Sequence, residues 1–313
     1  MDRLTANKTA RFALAMVTLA ATASCRREEP KQERPTPAVT TELPPLAAPA
    51  SAYQLPVTGF ADAVLSVPAG ITRPAPVVVA VLGIGDTPES QCAVWRELVG
   101  QRAFVLCPRG LPHFVRETPL DDQGQPIAAP EATAEQTEPT AEASPDSGKL
   151  LQVGFYHPDV ASLEREVDAG LAALNTKLAK YVAAGPVVYA GFSRGAFLGA
   201  SLAAKRPDLF TRAVFIEGGQ SPWTDESAAA FAKKGGKRVL FACGQPSCVT
   251  EAEAAVVILG KQHIETLIVH GEGEGHDYKR QVKDQLRASF DWVTEGDPLW
   301  RQLIASTPKR ADK

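Results

Sequence analysis

A serine flanked by glycines, Ser193, lies in the pentapeptide GFSRG at residues 191–195. A serine hydroxyl becomes a nucleophile when a neighbouring base takes its proton, and it can then carry an acyl group in a covalent intermediate. In the pattern GxSxG the serine occupies a strained turn, and small residues on either side let the backbones approach. The pattern indicates a nucleophilic serine only where it lies between a strand and a helix. Here an apolar run, 186–190, precedes it and a predicted helix, 194–205, follows it.

The elements around this serine alternate between strands and helices. Apolar, β-rich runs occur at 76–82, 103–106, 186–190, 212–216, 238–242 and 265–269. Helices are predicted between them, with the longest apolar stripe at helical spacing in 158–182 and a shorter helix at 89–99. Such alternation predicts an α/β protein with a mostly parallel sheet and helices on both faces. Functional residues of these sheets collect at the carboxyl ends of the strands.

The order of these elements, the Ser193 turn and a late glycine-rich loop with His276 resemble the α/β-hydrolase superfamily over residues 57–293. The resemblance implies an α/β-hydrolase fold and a triad in the order Ser, acid, His. The segment GIGDT at residues 83–87 is similar to the HGxGD segment of carboxylesterases and acyl-protein thioesterases. Leu82 stands where those enzymes usually have histidine. That histidine is not a triad member, so the difference concerns the subfamily rather than catalysis.

The resemblance implies that His276 is the base. This residue lies in the loop GEGEGHDY, 271–278, after the last predicted strand and before a C-terminal helix, where the superfamily places its catalytic histidine. The glycines give the loop the freedom to bring the imidazole to Ser193. The other four histidines are His113, His157, His263 and His270. Structural or surface positions are expected for His113, His157 and His270, with the rim of the cleft as the alternative for His157.

No aspartate stands where the triad acid is usual, in the loop 243–251 after the strand that ends at Ala242. Two carboxylates remain. Glu217 directly follows the preceding strand, where some members of the superfamily carry their acid, and it is the prediction. Glu251 is the alternative, although an acidic residue at a helix start ordinarily stabilises the helix N-terminus. A third reading is that neither orients the base, in which case Asp225 is the next residue to test.

Two backbone N–H groups are predicted to stabilise the developing oxyanion, because a tetrahedral intermediate needs preorganised donors. One is the N–H of Arg194, at the N-terminus of the helix after Ser193, where the helix dipole adds to the effect. The other comes from the loop after Leu82. Alignment with the HGxGD segment assigns it to Ile84.

Setting Cys25 aside leaves an even number of cysteines, namely Cys92, Cys107, Cys243 and Cys248. In the fold that the resemblance implies, the strands ending near Leu82 and Leu106 are neighbours, so Cys92 is expected to pair with Cys107. Cys243 and Cys248 share one loop and form the second expected pair. The alternative is buried free thiols, which are common in protein cores. Neither CxxC nor HExxH occurs, so no metal site is predicted and no cofactor is expected.

Residues 1–24 resemble a signal peptide, with three basic residues ahead of an apolar stretch that is too short to span a bilayer. Small residues then run directly into Cys25, which is similar to a bacterial lipoprotein signal in which the cysteine is lipidated and becomes the first mature residue. Thr22 stands where leucine is usual. Because no aspartate follows the cysteine, the resemblance points to an outer-membrane lipoprotein on the periplasmic or surface side. Plain secretion and a chain that is not exported are the alternatives.

Two stretches have a composition that cannot bury enough apolar surface to fold. Residues 25–52 carry six prolines and predict a flexible tether behind the lipid anchor. Residues 117–149 carry eight acidic residues, one lysine and five prolines, and predict a disordered insertion. The remainder, within 53–313, suits one α/β-hydrolase domain.

The whole-chain composition excludes several classes of function. With 33 Lys and Arg against 36 Asp and Glu, the chain has no basic field for phosphates, and no nucleic-acid motif occurs. Two functions remain. One is an exported serine hydrolase that acts on a small ester or thioester and contacts the membrane only through its anchor. The other is a non-catalytic hydrolase-fold lipoprotein that binds a ligand or partner. Neither predicts an oligomeric state.

Overall fold

The computed structural model describes residues 42–47, 52–117 and 149–304. The strands are β1 (Tyr53–Leu55), β2 (Ala63–Ser66), β3 (Val77–Val81), β4 (Phe104–Cys107), β5 (Leu111–Arg116), β6 (Leu150–Tyr156), β7 (Val188–Phe192), β8 (Arg212–Ile216), β9 (Arg238–Cys243) and β10 (Glu265–His270). The α-helices are α1 (Pro88–Val99), α2 (Val160–Leu178), α3 (Arg194–Lys205), α4 (Asp225–Lys233), α5 (Pro246–Gly260), α6 (Gln281–Thr294) and α7 (Pro298–Ile304).

Eight of the strands form one sheet in the order β1-β2-β4-β3-β7-β8-β9-β10. Every pairing from β4 through β10 is parallel, whereas β2 pairs antiparallel with both β1 and β4. Helices α2 to α5 pack on one face and α1, α6 and α7 on the other. The central strands are therefore buried on both faces, which is why they are apolar without alternation. This arrangement is the α/β-hydrolase fold, so the predicted fold class is confirmed.

The observed elements differ from the predicted ones mainly at their ends. Helix α3 and strand β8 have the predicted bounds. Helix α2 begins two residues later than the apolar stripe, because the side chain of Asp159 accepts the N–H of Ser162 at 2.7 Å and caps the helix there. Strands β1 and β2, of three and four residues, have no counterpart in the predicted pattern, since they are too short for a periodicity to register.

The predicted acidic insertion is flanked by a second, two-stranded sheet formed by β5 and β6. The two strands pair antiparallel from Leu111 opposite Tyr156 to Arg116 opposite Leu150. One residue further, the N–H of Glu117 donates to the carbonyl of Lys149 at 2.9 Å. Residues 118–148, the interior of the predicted insertion, lie outside the described residues.

Residues 42–47, which the composition assigns to the tether, contact the domain. The N–H groups of Leu43 and Leu46 both donate to carbonyls of the 71–72 turn at 2.9 Å, and the side chain of Leu46 is buried. The folded unit therefore includes residues ahead of Tyr53, where the predicted boundary lies. Residues 1–41, with the predicted signal peptide and Cys25, lie outside the described residues. None of the helices in the described part of the chain has the length and apolarity needed to cross a membrane.

Two disulfides join elements of the domain. Cys92 in α1 is bonded to Cys107 at the end of β4, with 5.9 Å between the Cα atoms. Cys243 at the end of β9 is bonded to Cys248 in the first turn of α5, with 5.5 Å between the Cα atoms. These are the pairings expected from the sequence, and disulfides are typical of exported proteins.

Candidate active site

The chain direction across the sheet reverses between β3 and β7. Strand β3 leads to β4 on one side, while its other neighbour β7 leads to β8 on the opposite side. In α/β sheets such a reversal places a ligand crevice at the carboxyl ends of the two strands. Ser193 follows β7, and the turn 82–86 follows β3. A Cβ atom added at Gly83 would lie 3.1 Å from the Cβ of Ser193, so the two turns touch.

Ser193 occupies a strained turn. Its φ of 52° and ψ of −116° lie in a region that residues with side chains rarely adopt. Its N–H donates to the carbonyl of Ile216 at 2.8 Å, which ties the turn to β8. A Cβ added at Gly191 would lie 2.6 Å from the carbonyl oxygen of Gly195, and one added at Gly195 would lie 2.6 Å from that of Leu82. Both glycines of the pentapeptide are therefore needed for close backbone approach.

Ser193, His276 and Glu217 form a hydrogen-bonded chain. His276 Nε2 lies 2.8 Å from Ser193 Oγ, and His276 Nδ1 lies 3.2 Å from Glu217 Oε2. The Glu217 side chain is 1% exposed and that of His276 is 48% exposed. The carboxylate is thus enclosed, while the imidazole is open to an incoming molecule. With the ring proton on Nδ1, facing the carboxylate, Nε2 is able to accept a proton from the serine.

The loop after β9 holds the carboxylate of Glu217. Its Oε1 accepts the N–H groups of Gly244 and Gln245, the latter at 3.1 Å, which leaves Oε2 for His276. The backbone of Glu217 is also constrained, since its φ is 49° and its N–H donates to the carbonyl of Ala242 at 3.0 Å. Charge-assisted bonds from two consecutive N–H groups fix the direction in which the carboxylate points.

The other carboxylates considered in the sequence lie elsewhere. Glu251 is exposed in α5, and because that helix begins at Pro246 it stands beyond the first turn, too far along to stabilise the helix N-terminus. Asp225 is exposed at the start of α4 and forms an ion pair with Lys261 at 2.9 Å. Among these three acids, the structure brings only Glu217 to His276.

The two predicted oxyanion donors lie on the two turns beside Ser193. Arg194 is the first residue of α3, so its N–H has no acceptor within the helix. Ile84 lies in the turn after β3. There the N–H groups of Gly85 and Asp86 donate to the carbonyls of Phe155 and Gly83, and in the described part of the chain the N–H of Ile84 has no such acceptor.

Phe192 and Tyr278 support the imidazole, and the sequence reasoning does not single out either of them. The Phe192 ring centroid lies 5.2 Å from that of His276 and 4.6 Å from that of Tyr278. Burial raises the pKa of Tyr278 well above its ordinary value, and its hydroxyl donates to Asp86 Oδ2 at 3.5 Å. This bond joins the His276 loop to the turn after β3. Two features of the sequence point to this contact: Asp86 lies in the GIGDT segment, and Tyr278 lies two residues after His276.

The His276 loop is anchored by Glu274, which is buried. The two carboxylate oxygens accept the N–H groups of Arg280 at 2.6 Å and of Val282 at 2.7 Å, at the start of α6. Burying a carboxylate is costly unless its oxygens are hydrogen-bonded, and here both are. No pattern in the sequence marks this role.

A buried histidine, His157, and a buried carboxylate, Glu166, lie in contact next to the Arg194 side chain. His157 Nδ1 lies 3.3 Å from Glu166 Oε2, and Glu166 Oε1 accepts the N–H groups of Arg109 and Gly110 at 2.8 and 3.0 Å. Burial alone would raise the pKa of Glu166, but His157 and the two backbone N–H groups outweigh it and hold that pKa below its ordinary value. The Arg194 side chain donates to the carbonyl of His157 at 3.4 Å. The remaining histidines are partly or fully exposed, at His113, His263 and His270.

An apolar surface flanks the crevice. We define the hairpin surface as the exposed large apolar side chains on the two faces of the β5–β6 sheet together with that of the turn after β3, namely Leu111, Phe114, Val115, Leu150, Leu151, Val153 and Ile84. Between Ile84 and the hairpin lies an open depression of about 470 Å³, which Pro112, Phe114 and Tyr156 also line. A larger depression of about 770 Å³, lined in part by residues 97–102, contains none of the site residues. Exposed apolar residues grouped beside a polar site are typical of ligand contact.

One group of three potential metal ligands occurs in the described part of the chain. Its members are Glu217, Cys243 and Cys248, whose ligand atoms lie within 4.8 Å of one another. The two sulfurs are bonded to each other and one oxygen of the carboxylate is occupied by backbone N–H groups. The group therefore acts as a structural crosslink beside the acid, without the free thiolates that a metal would need.

Comparison with known proteins finds similar folds at low sequence identity. An uncharacterised protein from Bacillus cereus is 13% identical, with 71% of this chain and 60% of that chain covered and a TM-score of 0.49. This chain therefore spans less than two thirds of that protein. Est1E from Butyrivibrio proteoclasticus is 14% identical, with 82% and 100% covered and a TM-score of 0.48. A Bacillus cereus carboxylesterase is 18% identical, with 74% and 93% covered and a TM-score of 0.44.

No protein-family model matches the chain, and no curated protein matches it. The low identities and TM-scores of the solved structures say nothing about the activity of this chain. Its function has to be inferred from the residues of the site.

Proposed function

We propose that this chain is a serine hydrolase that cleaves a carboxylic ester or thioester through an acyl-enzyme intermediate. The observation that supports this most directly is the hydrogen-bonded chain from Ser193 Oγ through the two nitrogens of His276 to Glu217, with distances of 2.8 and 3.2 Å. A nucleophile, a base within hydrogen-bond reach and a carboxylate that orients the base are the three parts that acyl transfer by serine requires.

In the first half of the reaction, Ser193 Oγ attacks the carbonyl carbon while His276 Nε2 takes the hydroxyl proton. The oxyanion that forms accepts the N–H groups of Arg194 and Ile84, and Glu217 stabilises the imidazolium through Nδ1–H. When the C–O or C–S bond breaks, His276 returns the proton to the departing alcohol or thiol. The acyl group stays on Ser193.

In the second half, water attacks the acyl carbon and His276 Nε2 takes a proton from it. The tetrahedral intermediate collapses, Ser193 Oγ leaves with the proton from His276, and the carboxylic acid is released. The exposed face of His276 supports this step, because solvent reaches the imidazole without a rearrangement.

The hairpin surface supports a substrate with an apolar acyl or alkoxy group. The depression beside the oxyanion turn is lined by Ile84, Pro112, His113, Phe114 and Tyr156, with no Lys, Arg, Asp or Glu in its described lining. Apolar contact of this kind binds by the area removed from water, at about 25 cal/mol per Å². A small uncharged ester is therefore a better match than a charged one.

The proposed setting is export followed by lipid anchoring at Cys25, on the outer membrane. Support comes from the signal-like residues 1–24 and from the two disulfides, which form and persist in oxidising compartments.

A fluorophosphonate probe and an acyl ester of p-nitrophenol test the proposal together. We expect the probe to label the wild-type protein and its ester turnover to be saturable. Ser193→Ala should lose both, whereas Ser201→Ala, a change of the same kind further along α3, should keep both. A folded wild-type protein with neither labelling nor turnover would instead support the non-catalytic binding protein.

A further inference from the structure

The disulfide Cys243–Cys248 encloses the residues that hold Glu217. We propose that this disulfide positions the catalytic acid, so that breaking it lowers turnover while the domain stays folded. The inference rests on the proposed function, because it requires Glu217 and His276 to act on Ser193.

The first step concerns the donors to the carboxylate. Gly244 and Gln245 are the two residues whose N–H groups bind Glu217 Oε1, and both lie inside the ring that the disulfide closes. Cys243 ends β9 and is fixed in the sheet, whereas Cys248 belongs to the first turn of α5. The bond therefore fixes both ends of the segment that binds the acid.

The second step concerns the spacing between acid and base. The carbonyl of Cys243 accepts the N–H of Gly271 at 2.8 Å, and the carbonyl of Gly244 accepts that of Gly275 at 3.3 Å. A Cβ added at Gly244 would lie 3.2 Å from the Cβ of Glu274. The enclosed segment thus contacts Glu217 through its N–H groups and the His276 loop through its carbonyls, and it sets the distance between carboxylate and imidazole.

The third step concerns what else could hold the segment. Gln245 is the N-cap of α5, yet its side chain accepts no capping hydrogen bond, and Gly244 has no side chain to pack. The Cys248 sulfur accepts a hydrogen bond from Gln220 Nε2 at 3.1 Å, which ties it to the chain just beyond Glu217. Both half-cystines and Gln220 are buried. Apart from the Glu217 carboxylate itself, the disulfide is therefore the main side-chain restraint on the turn.

The test compares two double variants. In Cys243→Ala/Cys248→Ala we expect kcat for the p-nitrophenyl ester to fall by about 10- to 100-fold with KM within about twofold, since small displacements of catalytic groups cost about this much. Cys92→Ala/Cys107→Ala is the matched control and should keep kcat. Circular dichroism must show both variants folded. Equal kcat values for the folded variants would overturn the inference.

A second comparison asks whether the effect passes through the acid. In a Glu217→Gln background the orienting carboxylate is already lost, so removing Cys243–Cys248 should lower kcat by less than about threefold. The same fold-loss in both backgrounds would show a general structural role and overturn the inference. If wild-type protein shows neither phosphonate labelling nor turnover, the proposed function fails. If it shows both and the Cys243→Ala/Cys248→Ala variant keeps kcat, only the inference fails.

A dithiol reductant replaces the double variant if that variant does not fold. In the Cys92→Ala/Cys107→Ala protein, one thiol of the reductant attacks a sulfur of the remaining disulfide, and its second thiol closes a cyclic disulfide, leaving Cys243 and Cys248 as thiols. We expect kcat to fall in step with the thiols that appear and to return on reoxidation. Full kcat in the folded, reduced protein would contradict the proposal.

Discussion

Three residues with side chains have a positive φ in the described part of the chain, and two of them are Ser193 and Glu217. Ser193 directly follows β7 and Glu217 directly follows β8, and these two strands pair with each other in parallel. A positive φ outside glycine is unfavourable, so such backbones persist only where their surroundings impose them. At this edge of the sheet the strained backbones direct a hydroxyl and a carboxylate to the same imidazole.

Glu217→Gln tests the acid. The amide would present an N–H to His276 Nδ1 and favour the tautomer that carries its proton on Nε2, which cannot accept the serine proton. We expect kcat to fall by about 10⁴-fold, as for the buried acid of a serine protease, with the fold unchanged. Glu251→Gln, an exposed change in α5, should keep kcat. Equal and mild effects of the two changes, measured by ester hydrolysis, would mean that neither carboxylate orients His276.

The elements differ in how far the sequence predicts them. The central strands are buried on both faces, and α3 packs on the sheet through small residues. Apolar runs and the GxSxG pattern therefore predict these elements closely. Glu217 is predicted as the acid because it follows a strand. Gly244 and Gln245 hold its carboxylate through backbone N–H groups, and the pattern of side chains in a sequence does not reveal backbone hydrogen bonds. Sheet β5–β6 was not predicted, because its exposed apolar residues do not alternate with polar ones.

Phe114→Ser tests the hairpin surface. The phenyl ring is half-exposed beside the depression. Since each buried methylene contributes about 0.8 kcal/mol, or roughly fourfold in binding, losing the ring should reduce kcat/KM for an octanoyl ester about tenfold more than for an acetyl ester. Val257→Ser removes an exposed apolar side chain from α5 and should leave that ratio unchanged. An unchanged ratio in Phe114→Ser would exclude this surface from substrate binding.

Glu166→Gln tests the buried pair with His157. Because the fold lowers the pKa of Glu166, its carboxylate contributes stability above its unfolded pKa, about 4.3, and loses that contribution as the pH falls through the folded pKa. The variant should be less stable by about 1.5 to 3 kcal/mol at pH 7, the usual contribution of hydrogen bonds to a charged group. The difference should narrow below about pH 4. Urea unfolding at several pH values measures it, with the exposed Glu272→Gln as control. A difference independent of pH would contradict this account.

At the scale of the whole molecule, the two disulfides are expected to differ in their effects on stability and on activity. Cys92–Cys107 spans 15 residues of sequence and Cys243–Cys248 spans 5. Loop-closure entropy assigns about 3 kcal/mol to the longer span and about 2 kcal/mol to the shorter. In urea unfolding, Cys92→Ala/Cys107→Ala should therefore be the less stable double variant, although it should be the more active one. If the same variant is lowest in both stability and kcat, activity only follows stability.

Cys25→Ser tests the proposed anchor. Lipidated protein should partition into a detergent phase, because an acyl chain contributes about 0.8 kcal/mol for each buried methylene. The variant should stay in the aqueous phase or remain unprocessed, whereas Ser24→Ala keeps the cysteine and should partition like wild type. A mature N-terminus at any residue other than Cys25 would rule out the lipoprotein assignment.

The hydrogen bond between Glu117 and Lys149 adds one further rung to the β5–β6 ladder. Because residues 117 and 149 are hydrogen-bonded neighbours, the sequence between them has no fixed distance to span. That sequence can be lengthened, shortened or exchanged for a whole foreign domain without moving either strand. The hydrogen bond between Glu117 and Lys149 therefore marks a site where the chain is expected to tolerate insertions. A change of length at this rung, in evolution or in protein engineering, is therefore expected to leave the eight-stranded sheet as it is.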